Sequence, residues 1–193
     1  MTNLFYIFIS AAVLNNFVLA YFLGISPLLN NSGRLRLVLD IGLAVSLIMF
    51  ISTAVNWPVY ALVLEHYGLQ YLQYLVFMLV TAAVTLLAGM LIHRFNAEIS
   101  NALGIYLPVI TANSVVLGTA LFMVLKQYGY LQSLAFALGG GTGFTLVLLV
   151  VAGIREELEL SDVPGSLRGA GIILITAGCL ALALTGLSGI HVR

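Results

Sequence analysis

The seven basic and seven acidic residues of this 193-residue chain are spaced so that six long apolar runs lie between them. The runs are Leu4–Leu23, Leu37–Trp57, Tyr71–Ile92, Leu103–Leu125, Leu131–Ile154 and Gly169–Ile190, and only the second holds a formal charge, Asp40 near its start. About 20 apolar residues in a helix cross the hydrocarbon core of a bilayer. The spacing therefore predicts an all-α bundle of six transmembrane helices. A water-soluble alternative is excluded by charge: 7% of residues are charged, against roughly 25% in soluble domains. The connections are short, so residues 1–193 read as one integral membrane domain. The opening "MTNLFYIFIS" has no positive n-region and reads as the start of a retained helix, not a signal peptide.

Charge asymmetry sets the expected orientation. Lys126 and Arg193 fall on the side of the termini, while Arg34, Arg36, Arg94, Arg155 and Arg168 fall on the other. The positive side is cytoplasmic, which puts both termini outside. Trp57, Tyr60, Tyr67, Tyr71, Tyr74, Tyr128 and Tyr130 border the outer loops, where amphipathic rings anchor at the headgroups.

"NNFVLAYFL" from Asn15 and "NSVVLGTAL" from Asn113 match in register at Asn15/Asn113, Val18/Val116 and Leu19/Leu117, 98 residues apart. The offset divides the chain into halves of about 1–95 and 96–193, each with three spans. An odd number of spans inserts the second half the opposite way, so a 3+3 inverted-topology repeat is expected. Such proteins place sites near the midplane, on interrupted helices. Span 1 carries Asn15, Asn16 and a Gly24–Pro27 break; span 4 carries Pro108, Thr111, Asn113 and Ser114. The asparagines have two readings. They either bond backbone groups freed at the breaks, which lipid cannot satisfy, or line a shared polar site.

Other features read more plainly. "GGGTGF" at 139–144 lacks a following Gly-Lys-Ser/Thr; Gly139 and Gly143 form a small-xxx-small step for close helix approach, within the chain or toward a partner. "REELELSDVP" at 155–164 is a solvated loop, capped by Ser161 or Asp162, or a docking edge for a cytoplasmic redox partner. His66, His93 and His191 lie at three separate span ends, which disfavours a heme or zinc site. Cys179 is the single cysteine; it excludes an internal disulfide and reads as a small buried apolar residue with no metal role. No Asp, Glu, Lys or Arg lies deep in a span, where an ion-coordinating carboxylate is expected.

The segments "LNNFVLAYFLGISP", "LGIYLPVITANSVVLG", "GIREELELSDVPGSLRGAGIILITAG" and "LSGI" resemble the Rnf/Nqr family of membrane subunits over nearly the whole chain. The resemblance implies a six-helix protein with inverted-repeat symmetry, in a bacterial inner membrane. It implies pairing with a homologous subunit of opposite topology, of the RnfE or NqrD type, and further subunits carrying flavin and iron–sulfur centres. Rnf complexes couple electron exchange between ferredoxin and NAD to sodium or proton transport; Nqr complexes oxidise NADH with quinone and pump sodium. Family pairs hold one [2Fe–2S] cluster in the membrane with two cysteines from each member. Here the family's "LG-x-C" position is Ser26 and its "T-x-N-C" position is Ser114. A hydroxyl is a harder ligand than the thiolate that such clusters use. Two such replacements remove this chain's half of the coordination.

Two functions are thus expected in competition. The first is a non-catalytic membrane subunit of an Rnf-type electron-transport complex. The second is a cluster-free transporter or scaffold on the same fold, with Ser26, Ser114, Asn15, Asn16 and Asn113 around a polar site.

Overall fold

A computed structural model describes residues 3–26, 35–95, 113–165 and 167–189. All regular structure among them is helical. α1 (Leu4–Ile9) runs into a π-turn at Ser10–Leu14, and α2 (Phe17–Tyr21) follows after a break. α3 (Leu35–Val59) continues through a π-turn at Tyr60–Leu64. α4 (Gln73–Phe95), α5 (Ser114–Leu125), α6 (Tyr130–Glu159) and α7 (Ala170–Gly189) complete the order. Three helical stretches are long and apolar enough to cross a membrane, those at Leu35–Leu64, Gln70–Met90 and Tyr130–Leu158; three shorter apolar helices occupy the first, fourth and last sequence runs.

α3 and α6 form the centre, with the most extensive helix contact among the described residues. The contact is reciprocal. Gly42 lies against the Thr145 side chain, and Gly141 lies against Ser46. Ser46 Oγ donates to the Gly42 carbonyl at 2.8 Å, Thr145 Oγ1 to the Gly141 carbonyl at 3.0 Å, and the two hydroxyls stand 3.1 Å apart. As residue number rises on one helix it falls on the other, so the pair is antiparallel. Small residues let the backbones approach where lipid supplies no hydrophobic drive.

α1 packs parallel to α6 through the glycine step. A Cβ at Gly139 would strike the Phe8 carbonyl, and one at Gly143 the Ala12 carbonyl. The small-xxx-small spacing is therefore used inside the chain. Gly140 faces the Phe17 ring. That ring is fully buried among Tyr21, Phe122 and Phe136, with centroids 5.5 to 6.4 Å away. Leucine and methionine cover the outside of α4, as at Met78, Leu79, Leu86 and Met90, all exposed.

Three expectations change. Cys179 is exposed on α7, not buried, because the inner face of that helix is taken by Ile173 and Ala177. The charges after Ile154 do not end α6, which continues to Glu159; Arg and Glu are good helix formers in water. Ser161 then donates to the Glu157 carbonyl at 3.1 Å, closing the end of α6 rather than opening the next helix. Pro108, Thr111 and the part of run four before Asn113 lie outside the described residues, as do Pro27 and His191.

Candidate functional site

The first membrane run is interrupted earlier than its proline suggests. α1 loosens into the π-turn, and Asn15 leaves helical geometry at φ −105°, ψ 43°. Its backbone N–H still reaches the Ser10 carbonyl at 2.7 Å, and its Nδ2 donates to Ser10 Oγ at 2.8 Å. Asn16 then starts α2 as its N-cap. Its Oδ1 accepts from the amides of Val18 and Leu19 at 3.0 and 3.5 Å, while its Nδ2 donates to the Ala12 carbonyl at 3.0 Å. One amide side chain thus bonds both sides of the break. This is the accounting a buried backbone requires.

α2 is short because Phe22 turns left-handed, at φ 54°. Gly24 is also left-handed, at φ +73°. It has no room for a side chain: a Cβ there would meet Val115, the Phe144 ring at 2.8 Å and Asn113 Oδ1 at 3.0 Å. The chain turns here because glycine allows both the dihedral and the approach.

The loop lands on the N-terminus of α5. Asn113 is the N-cap, its Oδ1 accepting from the Val115 amide at 3.0 Å. Ser114 follows as the first helical residue, and its Oγ accepts the Gly24 N–H at 2.9 Å. Residues 90 apart in sequence are joined by this one bond. Ser26 lies two residues beyond Gly24, so its Cα is within about 7 Å of Gly24 Cα by chain reach. Ser26 and Ser114 are both exposed. Asn113 is buried, and its Nδ2 has no partner among the described residues.

Four sequence-selected residues thus stand at two helix starts, Asn15 and Asn16 before α2 and Asn113 and Ser114 at α5, while Ser26 follows the Gly24 turn. Asn15, Asn16 and the Asn113 oxygen are occupied with backbone or near neighbours on their own helix. The cap that matches Asn113 is Asn16 rather than Asn15. With Asn16 set against Asn113, Val18 meets Val115, so the register one residue away also carries matches. The sequence marks a break at Gly24–Pro27; the left-handed turn of Gly24 and its packing against Val115, Phe144 and Asn113 are added by the structure.

The chemistry of the donor set does not fit an iron–sulfur cluster. The two positions offer neutral hydroxyls, one already accepting a backbone N–H, where clusters are held by thiolates.

A polytopic helical membrane protein, with its first crossing broken at paired asparagines and stitched to the start of a later helix, is the class these features define. The sequence carries it to one family: the description "Rnf-Nqr subunit, membrane protein" matches residues 4–191. The chain belongs to the Rnf-Nqr family of membrane subunits. It is 44% identical over 190 residues to an ion-translocating oxidoreductase complex subunit of Syntrophotalea carbinolica, covering 98% of each chain. It is 41% identical over 187 residues to a Na(+)-translocating ferredoxin:NAD(+) oxidoreductase complex subunit of Acetobacterium woodii, covering 97% of each. An ion-translocating oxidoreductase complex subunit of Vibrio cholerae is 36% identical over 190 residues, covering 98% of each.

Proposed function

We propose that this chain is the RnfA-type component of an Rnf complex, which couples electron transfer between ferredoxin and NAD to ion translocation. The observation that carries the reading is the match of nearly the whole chain to proteins named for such complexes. The chain sits in the bacterial inner membrane with both termini outside. It forms the transmembrane core with a homologous RnfE- or NqrD-like subunit of opposite topology, beside subunits that carry flavin and iron–sulfur centres.

A 3+3 inverted repeat, in halves of about 1–95 and 96–193, accounts for two features at once. Asn16 and Asn113 cap helices in the same way. The Gly42–Thr145 and Ser46–Gly141 contacts exchange with each other about a common centre. The exposed Ser26 and Ser114 suit an edge that meets the partner. This chain supplies that edge with hydroxyls, and no thiolate.

Copurification tests the reading. A tagged chain should bring down an RnfE-like subunit, and its membranes should show ferredoxin-dependent NAD reduction that drives ion uptake. A chain that purifies alone, with neither activity altered by its deletion, rejects it. Ser26 and Ser114 also favour a second reading, a cluster-free transporter or scaffold. Iron analysis and EPR separate the two. A [2Fe–2S] signal that depends on this chain excludes the cluster-free reading. If the serines stand in for ligands, Ser26→Cys with Ser114→Cys raises bound iron; unchanged iron rejects that account.

A further inference from the structure

Between α3 and α4 lies a closed group of neutral oxygens whose hydrogen bonds do not balance. Ser52, Thr53, Asn56, Thr81 and Thr85 are each at most 3% exposed. Asn56 Nδ2 donates to Ser52 Oγ at 3.0 Å and toward Thr81 Oγ1 at 3.5 Å. Those two hydroxyls are 3.0 Å apart, so one donates to the other. Thr85 Oγ1 is spent on the Thr81 carbonyl at 2.8 Å. Asn56 Oδ1 and Thr53 Oγ1 are left with no partner among the described residues.

An orphaned amide oxygen in the interior costs about 1–3 kcal/mol. Turning the amide over does not help, because it exchanges an orphaned oxygen for an orphaned NH2 with two protons. Thr53 precedes Asn56 by three residues, so the two side chains share one helix face. Pro58 lies within the same helix and has no N–H to offer the carbonyl four residues back, at Ala54. Asn56 Oδ1 and Thr53 Oγ1 thus keep unshared lone pairs in a buried, uncharged setting.

We propose that this group is a binding site for a small monovalent cation of sodium size. Asn56 Oδ1 and Thr53 Oγ1 are its principal ligands, with Ser52 Oγ and Thr81 Oγ1 beside them. Hard cations take oxygen ligands. A divalent ion resists dehydration and is held through carboxylates, whereas every side chain in this group is neutral. A neutral site also leaves the cation weakly held, which exchange requires. The position lowers the cost of bringing a charge into the membrane, because Asn56 is near the end of α3. The next residue, Trp57, belongs to the wall of a cavity of about 860 Å3 that also includes Tyr60, Glu65, Gln73 and Tyr128. Glu65 places a carboxylate at that end, where it draws cations from solution.

The inference rests on reading the chain as part of an ion-translocating complex, but its test needs neither electron transfer nor ion transport. Radioactive sodium binding is measured by equilibrium dialysis on the purified complex, in choline chloride buffer at constant ionic strength. Asn56→Leu should lose one bound sodium per copy of this chain. Thr53→Val should weaken that site at least tenfold. Melting in sodium-free buffer separates loss of fold from loss of sodium, since Asn56→Leu also gives up the bonds from Asn56 Nδ2; Thr53→Val, nearly isosteric and with no side-chain bond among the described residues to lose, serves as the second folded variant. Equal sodium stoichiometry and affinity in parent and both variants means a buried water only, and overturns the proposal. So does a parent that binds no sodium. Failure to copurify with partner subunits would instead count against the proposed function, and the same dialysis on the isolated chain still reports on the site.

Discussion

The Gly24 amide donates to Ser114 Oγ at 2.9 Å, the bond that ties the interrupted first crossing to the start of α5. Removing the acceptor should strand that donor. Ser114→Ala is expected to cost about 1–3 kcal/mol, read as a lower melting temperature in detergent or nanodiscs. Ser114→Thr, which keeps the hydroxyl, should recover most of the loss. Equal melting of the alanine variant and the parent would show that the bond contributes nothing.

Gly24 is under a double constraint, at φ +73° and against Val115, Phe144 and Asn113. Gly24→Ala meets both the left-handed penalty of about 1–2 kcal/mol and an overpacking cost of about 1–3 kcal/mol. It should express poorly or melt well below the parent. Gly153→Ala, where a Cβ meets nothing within 4 Å, should be silent or slightly stabilising. Equal behaviour of the two variants would remove the steric account of the turn.

The two caps should respond differently. Asn16→Ala loses an N-cap, worth about 1 kcal/mol, and also strands the Ala12 carbonyl. Asn113→Ser keeps a capping oxygen and discards the unpartnered Nδ2, so it should be near neutral. Asn113→Ala should fall between them. Denaturant or thermal unfolding of the three variants in one detergent checks the order.

Lys126, in the connection after α5, has its pKa lowered from 10.5 by burial. Its Nζ stands 5.3 Å from the Phe136 ring centroid. The folded chain then binds fewer protons here than the unfolded chain does, and stability rises with pH as pH climbs through the folded pKa toward 10.5. Tyr128 acts oppositely: burial, then Tyr6, raises its pKa above 10.0, so its stabilisation is lost as pH rises beyond 10.0. Lys126→Met should flatten the rise below pH 10.0 and leave the fall above it. A melting curve against pH that is identical in the variant would refute the assignment.

The membrane habitat, the apolar runs and the prominence of Asn15, Asn16, Asn113 and Ser114 were legible along the chain. Each shows in a short stretch, as a missing charge or as a polar residue inside an apolar run. The bonds that Asn16 makes to backbone follow from the same stretch, since a broken helix must find partners inside protein. The docking of the Gly24 break on Ser114, the service of Gly139 and Gly143 to α1, and the exposure of Cys179 were not legible.

Local chemistry already commits this chain to helices in lipid, because its runs of about 20 apolar residues satisfy their own backbone there only as helices. Contact between the first and fourth runs, and the unbalanced oxygens between α3 and α4, emerge only when the helices dock. In a bilayer the lipid face and the core face are equally apolar, so hydropathy does not say which side turns inward. Shape makes that choice, through glycines that admit a backbone and hydroxyls that meet across a helix pair.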